Sequence, residues 1–279
     1  MLTKLNLILV FLNYSKGANI LAIFPTPSIS HQVVYQTLAR DLISRGHYLT
    51  ILTPSPVKIN NPNVTEIDLS ETYELFHNLF NFAEFKDFRN DEIGFIRKAS
   101  VIFEQLMNVQ LSHPQVKELI NGKGKFHFDL MIIEHTGYFP MLAFAEIYDC
   151  PVIGITSFEA PGFTYQMFGN EANIIIHPEQ NLPFISSELT FIQRWKIIKS
   201  SFMMIAALLI PPSPLQKLND VLSNHFPDVT KTIYELLDRV ELLMVNVHPA
   251  MGFVRPLVPN TIQLGFMHIE PPKLLEEAS

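Results

Sequence analysis

The chain has 279 residues, of which 48% are hydrophobic and 17% charged, and its net charge at pH 7 is -7. This length accommodates one large domain, or two small ones, with a substantial core. The acidic balance argues against a nucleic-acid-binding protein, which would carry a basic surface. Because Cys150 is the only cysteine, no disulfide can form within the chain.

The first 18 residues have the pattern of a secretory signal peptide. Lys4 precedes an apolar run at 5–12, and small residues follow through Gly17 and Ala18. The run is short for a membrane-spanning helix, and the alternative is a buried first strand. A glycosylation sequon at Asn63 fits a protein of the secretory pathway.

The next residues predict a strand, a helix and a second strand. The apolar run 19–24 is bounded by prolines and is typical of a central parallel strand. Residues 30–44 space their apolar side chains for one buried helix face, with Ser30 as the expected N-cap and Gly46 as the stop. Residues 47–54 form the second strand of this βαβ unit.

The same alternation continues along the chain. Strands are predicted at 127–134, 151–157, 241–247 and 260–266, with a short helix at 139–149. This order indicates an α/β fold with a Rossmann-like, doubly wound parallel sheet. Two further stretches, 71–120 and 186–238, have helical periodicity. Within the second, the apolar run 202–212 predicts a buried helix, and the alternative is a helix lying on a membrane surface.

Two residues at predicted strand ends could perform acid–base chemistry. His31 lies in the first helical turn after the first strand, where the positive end of the helix dipole disfavours imidazolium and leaves a neutral base. Glu134 ends the strand 127–134 and could orient that imidazole, as the acid does in a hydrolytic triad. The alternatives are a locally packed histidine and a surface glutamate. The adjacent His135 could compete with Glu134 for the role of partner to His31.

Other site types lack their sequence patterns. No further ligands are spaced to join His31 and His135, so we expect no metal site. The chain has no G-x-G-x-x-G or Walker motif for phosphate and no G-x-S-x-G nucleophile elbow. Residues 156–162, TSFEAPG, follow a strand and either line a pocket or form an ordinary turn.

Three segments carry a resemblance to a known family. The stretch NILAIFPTPSISHQVVYQTLARDLISRGHYLTILTP, the strand FDLMIIE and the stretch VNVHPAMGFVRPLVPNTIQLGFMHI resemble the N-terminal half of insect-type UDP-glycosyltransferases. The resemblance covers about residues 1–270. It implies one half of a GT-B fold, in which two Rossmann-like domains face each other across a cleft.

The resemblance also implies a reaction and its residues. Members of that family transfer a hexose from a UDP-sugar to a small lipophilic acceptor with inversion, and His31 matches the general base. Glu134 stands where the family usually has aspartate. The acceptor-binding candidates are Ser30, His135, Phe158, Phe85 and Phe88. No tightly bound cofactor is expected, and the UDP-sugar would bind a C-terminal domain that this chain lacks.

The expected organisation is a signal peptide at 1–18, an acceptor-binding domain at 19–270 and a tail at 271–279. By resemblance, the protein would work in detoxification in the endoplasmic reticulum lumen, where full-length relatives are membrane-associated, or be secreted. Expected partners are a lipophilic acceptor, full-length relatives in an oligomer, and a membrane surface. We expect the chain to be inactive alone. The alternative is a non-catalytic short isoform that binds lipophiles or pairs with full-length enzymes.

Overall fold

The computed structural model describes residues 17–80, 91–171, 173–177, 188–211, 213–251 and 254–269. The predicted signal peptide, apart from Gly17 and Ala18, and the predicted tail 271–279 lie outside these ranges, as do Phe85 and Phe88. The described strands are β1 (Asn19–Ile23), β2 (Tyr48–Thr53), β3 (Val64–Asp68), β4 (Leu130–Glu134), β5 (Val152–Thr156), β6 (Val240–Val245) and β7 (Thr261–Gln263).

All seven of these strands are parallel and form one sheet in the order β3-β2-β1-β4-β5-β6-β7. The chain builds the sheet outward from β1 in one direction and then returns to add β4 on its other side. The predicted doubly wound parallel sheet is therefore confirmed, and its strand order reverses between β1 and β4.

Helices lie between β1 and β2, between β3 and β4, between β4 and β5, and between β5 and β6. They are α1 (Ile29–Ser44), α2 (Thr72–Leu79), α3 (Glu92–Ser112), α4 (Pro114–Ile120), a 3-10 turn (Phe139–Leu142), α5 (Ala143–Tyr148), α6 (Gly162–Met167), α7 (Phe191–Leu209), α8 (Pro214–His225) and α9 (Ile233–Leu237). The helix α1 begins one residue earlier than predicted. Its N-cap position is Ser28, which makes no side-chain capping bond, so the expected capping role of Ser30 is wrong.

The two sides of the sheet are both covered, which explains why its central strands are apolar throughout. Alternate residues of β1 and β4 enter different clusters. Leu21 and Ile133 join the larger cluster, which includes side chains of α3, α5, α8 and α9, whereas Ala22 and Ile132 face α1. The edge strand β3 was not predicted. Its sequence, VTEID, buries only Ile67 and so lacks an apolar run.

The apolar run 202–212 differs from its prediction. Ala207 is buried, but Phe202, Ile205 and Ile210 are exposed. The expectation of a buried helix is therefore wrong for one face of α7, because its apolar residues continue around to the solvent side. Among the described helices, none combines the length and apolar character needed to cross a membrane.

Candidate active site at the carboxyl edge of the sheet

The sheet brings His31 and Glu134 together. Strands β1 and β4 are hydrogen-bonded neighbours, with Ile23 opposite Ile133. His31 follows β1 in the first turn of α1, and Glu134 is the last residue of β4. The His31 Nδ1 atom lies 2.6 Å from the Glu134 Oε1 atom. This pair occupies the point where the strand order reverses, which is the usual ligand site of such sheets.

The carboxylate of Glu134 is buried and held at both oxygens. Its side chain is 0% exposed, and its second oxygen, Oε2, accepts a hydrogen bond from the Thr26 backbone N–H at 3.2 Å. Burial and the negative charge of Glu134 raise the pKa of Tyr35 and of Tyr138 well above the usual value. Both phenols therefore stay neutral beside the carboxylate.

The imidazole of His31 is oriented by this contact. A carboxylate at Nδ1 favours the tautomer that carries its proton there, which leaves the lone pair on Nε2. Within the described residues Nε2 makes no hydrogen bond, and the side chain is 18% exposed. The ring of Phe158 meets the imidazole edge-on, with 5.2 Å between ring centroids. The imidazole of His31 is thus aligned by Glu134 and accessible at its edge.

The two predicted neighbours of His31 are both exposed, and they differ in their contacts. Ser30 is exposed beside it, and its hydroxyl lies 3.0 Å from that of Ser28. Phe158 belongs to the segment 156–162, which is held by Asn246, whose amide nitrogen donates to the Ser157 carbonyl at 3.0 Å. Asn246 follows β6 and was not predicted, because no motif marks it.

A second unpredicted residue, Gln32, shapes the loop between β1 and α1. Its amide nitrogen donates to the carbonyls of Phe24 at 2.9 Å and Thr26 at 2.8 Å. Its amide oxygen accepts a hydrogen bond from the Thr53 hydroxyl at 2.8 Å. From the other side, Gln110 donates to the Pro25 carbonyl at 2.7 Å. The backbone that carries Thr26 toward Glu134 is therefore fixed by two buried amides.

His135 does not join this pair. Successive strand residues face opposite sides of a sheet, and the His135 ring packs against Phe139 and Phe168. Among the described residues neither ring nitrogen of His135 has a hydrogen-bond partner, and burial lowers the pKa of this imidazole to about 4. The neighbouring Gly154 leaves room for the ring, since a Cβ there would lie 3.1 Å from that of His135. Glu134, not His135, is the partner of His31.

The chain's described residues include no group of three or more histidine, cysteine, aspartate or glutamate side chains placed to hold a metal ion. The site is thus a histidine–carboxylate pair at the switch point of a parallel α/β sheet. A pair of this kind can accept a proton from a group brought to Nε2.

Comparison with known proteins finds relatives among the UDP-glycosyltransferases. No family model matches the sequence. The sequence is 29% identical to the ecdysteroid UDP-glucosyltransferase of Mamestra brassicae nuclear polyhedrosis virus, covering 96% of this chain and 52% of that protein. It is 28% identical to UDP-glycosyltransferase UGT4 of Dactylopius coccus, again covering 96% and 52%. The predicted resemblance to insect-type UDP-glycosyltransferases is confirmed, and the chain spans about half the length of these curated relatives.

Solved structures similar to this chain are also glycosyltransferases. The kitacinnamycin glycotransferase aligns with a TM-score of 0.47 and 14% identity, covering 85% of this chain and 48% of that one. UGT71G1 of Medicago truncatula, complexed with UDP-glucose, aligns with a TM-score of 0.42 and 13% identity, covering 94% and 55%. In both cases this chain matches about half of the solved protein.

The hydrogen bonds of Gln32 give a first prediction. The variant Gln32→Met keeps the side chain's approximate size but removes its three buried hydrogen bonds. These are the bonds to the Phe24 carbonyl, the Thr26 carbonyl and the Thr53 hydroxyl. We expect the free energy of unfolding in urea to fall by about 1–3 kcal/mol. The control Gln216→Met, at an exposed position whose side chain makes no such bonds, should change it by less than about 0.5 kcal/mol. Equal effects of the two variants would contradict the role of Gln32.

His135 gives a second prediction, which concerns pH. Its pKa is about 4 in the folded protein and about 6.5 in an unfolded chain. Between these values the unfolded state binds the extra proton, so stability falls as pH is lowered from about 6.5 to 4. We expect His135→Leu to reduce the slope of unfolding free energy against pH by at most about 1.4 kcal/mol per pH unit. Urea titrations at several pH values measure this slope, and an unchanged slope would refute the assignment.

Proposed function

We propose that this chain is the N-terminal, acceptor-binding half of a GT-B UDP-glycosyltransferase, which transfers a hexose to a hydroxyl group of a small lipophilic molecule. The observation that carries the proposal is the 2.6 Å contact between His31 and Glu134 at the switch point of the sheet. The names of the relatives support it, since they are a UDP-glucosyltransferase acting on ecdysteroids and a UDP-glycosyltransferase.

In the proposed reaction the acceptor hydroxyl donates a hydrogen bond to Nε2 of His31. The acceptor oxygen attacks the anomeric carbon of the sugar from the face opposite UDP. As the new carbon–oxygen bond forms, the bond to the UDP oxygen breaks with its electron pair, and the hydroxyl proton passes to Nε2. The configuration at that carbon is inverted. Glu134 stabilises the imidazolium formed in this step, because its carboxylate is already aligned on Nδ1.

The acceptor would lie beside His31. Phe158 offers an apolar edge next to the imidazole, and Ser30 offers an exposed hydroxyl. These two are the proposed acceptor contacts from the predicted set, whereas His135 lies on the other side of the sheet. The UDP-sugar would be held by a second domain, which the curated relatives have room for in the half that this chain does not match. We propose the endoplasmic reticulum lumen as its location, on the strength of the predicted signal peptide.

The base assignment predicts a large loss of activity. We would join the chain to the C-terminal half of the Dactylopius coccus relative and measure kcat/KM with UDP-glucose and a steroid or phenolic acceptor. In this chimera His31→Ala should lower kcat/KM by about 10²–10⁴-fold, the usual contribution of a general base. His77→Ala, at an exposed position on α2, is the matched control and should retain full activity.

The variant Glu134→Gln tests the second member of the pair in the same chimera. Its amide oxygen can still accept the Nδ1 hydrogen but cannot neutralise the imidazolium. We therefore expect a loss smaller than that of His31→Ala. Full activity of His31→Ala would sink the base assignment, whereas a Glu134→Gln effect no larger than that of His77→Ala would leave Glu134 a structural residue only.

The division between domains gives a further prediction. The 279-residue chain by itself should bind acceptors but should not transfer sugar, because the proposed UDP site belongs to the half of the relatives that these residues do not match. Equilibrium dialysis with a labelled acceptor and an assay of UDP release measure the two activities separately. Robust turnover by the purified chain would overturn the proposed division of labour.

A further inference from the structure

The helix α7 has two unlike faces. Ile197, Ser200 and Ala207 are buried, and α7 contacts α3 and α8. The opposite face carries a line of exposed apolar side chains, which we call the α7 stripe: Phe191, Trp195, Ile198, Phe202 and Ile205. These residues are between 44% and 83% exposed. Their spacing of alternately four and three residues places them on one line along the helix.

The charges of α7 are all of one sign. The helix contains Arg194, Lys196 and Lys199 and no acidic residue, although the chain as a whole carries a net charge of -7. At 100° per residue, Lys196 lies about 140° from the centre of the α7 stripe, whereas Arg194 lies about 60° to one side of it and Lys199 about 80° to the other. Such side chains extend their apolar stems along the helix and place their charges at its polar border.

We propose that α7 lies in the plane of a membrane surface, with the α7 stripe among the lipid chains near the headgroups and the flanking Arg194 and Lys199 against anionic lipid headgroups. An apolar line bordered by cations, on a helix too polar overall to cross a bilayer, is the pattern of such interfacial helices. The inference does not depend on the chemistry of His31.

A second copy of the chain fits this surface less well. Pairing two α7 stripes would bring two sets of two positive charges to the border of one apolar seam, and α7 itself supplies no acidic residue to pair with them. Anionic headgroups supply the opposite charge along the whole helix. Charge complementarity therefore favours a lipid surface.

Trp195 allows a direct test, because it is the only tryptophan of the chain. The full chain is mixed with phosphatidylcholine vesicles, with and without phosphatidylserine, and Trp195 emission is recorded. We expect a blue shift, quenching by lipids brominated on their acyl chains, and tighter binding when phosphatidylserine is present. The paired substitution Phe202→Ser with Ile205→Ser should weaken vesicle binding by about tenfold or more. Arg194→Glu with Lys199→Glu should abolish the dependence on phosphatidylserine.

The controls use matched positions elsewhere on the surface. Tyr234→Ser with Met251→Ser removes two other exposed apolar side chains, and Lys123→Glu reverses an exposed charge. Both should bind vesicles like the unaltered chain, and circular dichroism checks that every variant is folded.

Several results would overturn the proposal. One is Trp195 emission that does not change with any vesicle. Attachment of the chain to the vesicle through the apolar run 5–12 alone would give that result. Another is unaltered binding by the variants of the α7 stripe. A shift of Trp195 emission with protein concentration in the absence of lipid would identify a second copy as the occupant instead.

Discussion

The contact between His31 and Glu134 depends on the adjacency of β1 and β4 more than on any local motif. The two residues are separated by 103 positions along the chain. They meet because the sheet grows from β1 in both directions, so that the ends of its two central strands lie side by side. A buried carboxylate is costly unless it is hydrogen-bonded, and this one has the imidazole on one oxygen and the Thr26 N–H on the other. Both oxygens of the buried carboxylate therefore have hydrogen-bond partners, although most of the surrounding side chains are apolar.

That satisfaction requires a backbone that cannot shift. The Phe24 N–H still donates to the Leu52 carbonyl of β2 at 2.9 Å. The segment from there to Thr26 leaves the ladder of β1, and its buried backbone groups need other partners. Gln32 and Gln110 supply them from two different helices. The arrangement holds the Thr26 N–H toward Glu134 before any substrate arrives. Electrostatic stabilisation is most effective in such a preorganised site, because little reorganisation is needed as charge develops.

Much of this could be read from the sequence because the central strands are covered on both faces. Their continuous apolar runs mark β1, β2, β4 and β5, and the ends of parallel strands share one edge, which brought His31 and Glu134 into one hypothesis. The edge strand β3 was not predicted, because a largely exposed strand has no apolar run. The roles of Gln32 and Gln110 were not predicted, because a polar residue in a helix gives no sign of which backbone carbonyl it will reach. The exposed side of α7 was not predicted, because apolar residues all around a helix give no sign of which face is buried.

Adjacent residues at the end of β4 show how strand periodicity separates two chemistries. Glu134 and His135 differ by one position, so their side chains face opposite sides of the sheet. Glu134 meets an imidazole and a backbone N–H, and remains an acceptor of hydrogen bonds. His135 meets Phe139, Phe168 and the backbone of Gly154, and burial without a polar partner keeps it neutral down to a pH of about 4. A shift of one residue in the register of β4 would exchange these environments. Glu134 would face the aromatic rings without a hydrogen-bond partner, and His31 would lose the carboxylate at its Nδ1. The register set by the Ile23–Ile133 pairing therefore fixes the chemistry of the site as well as the packing of the core.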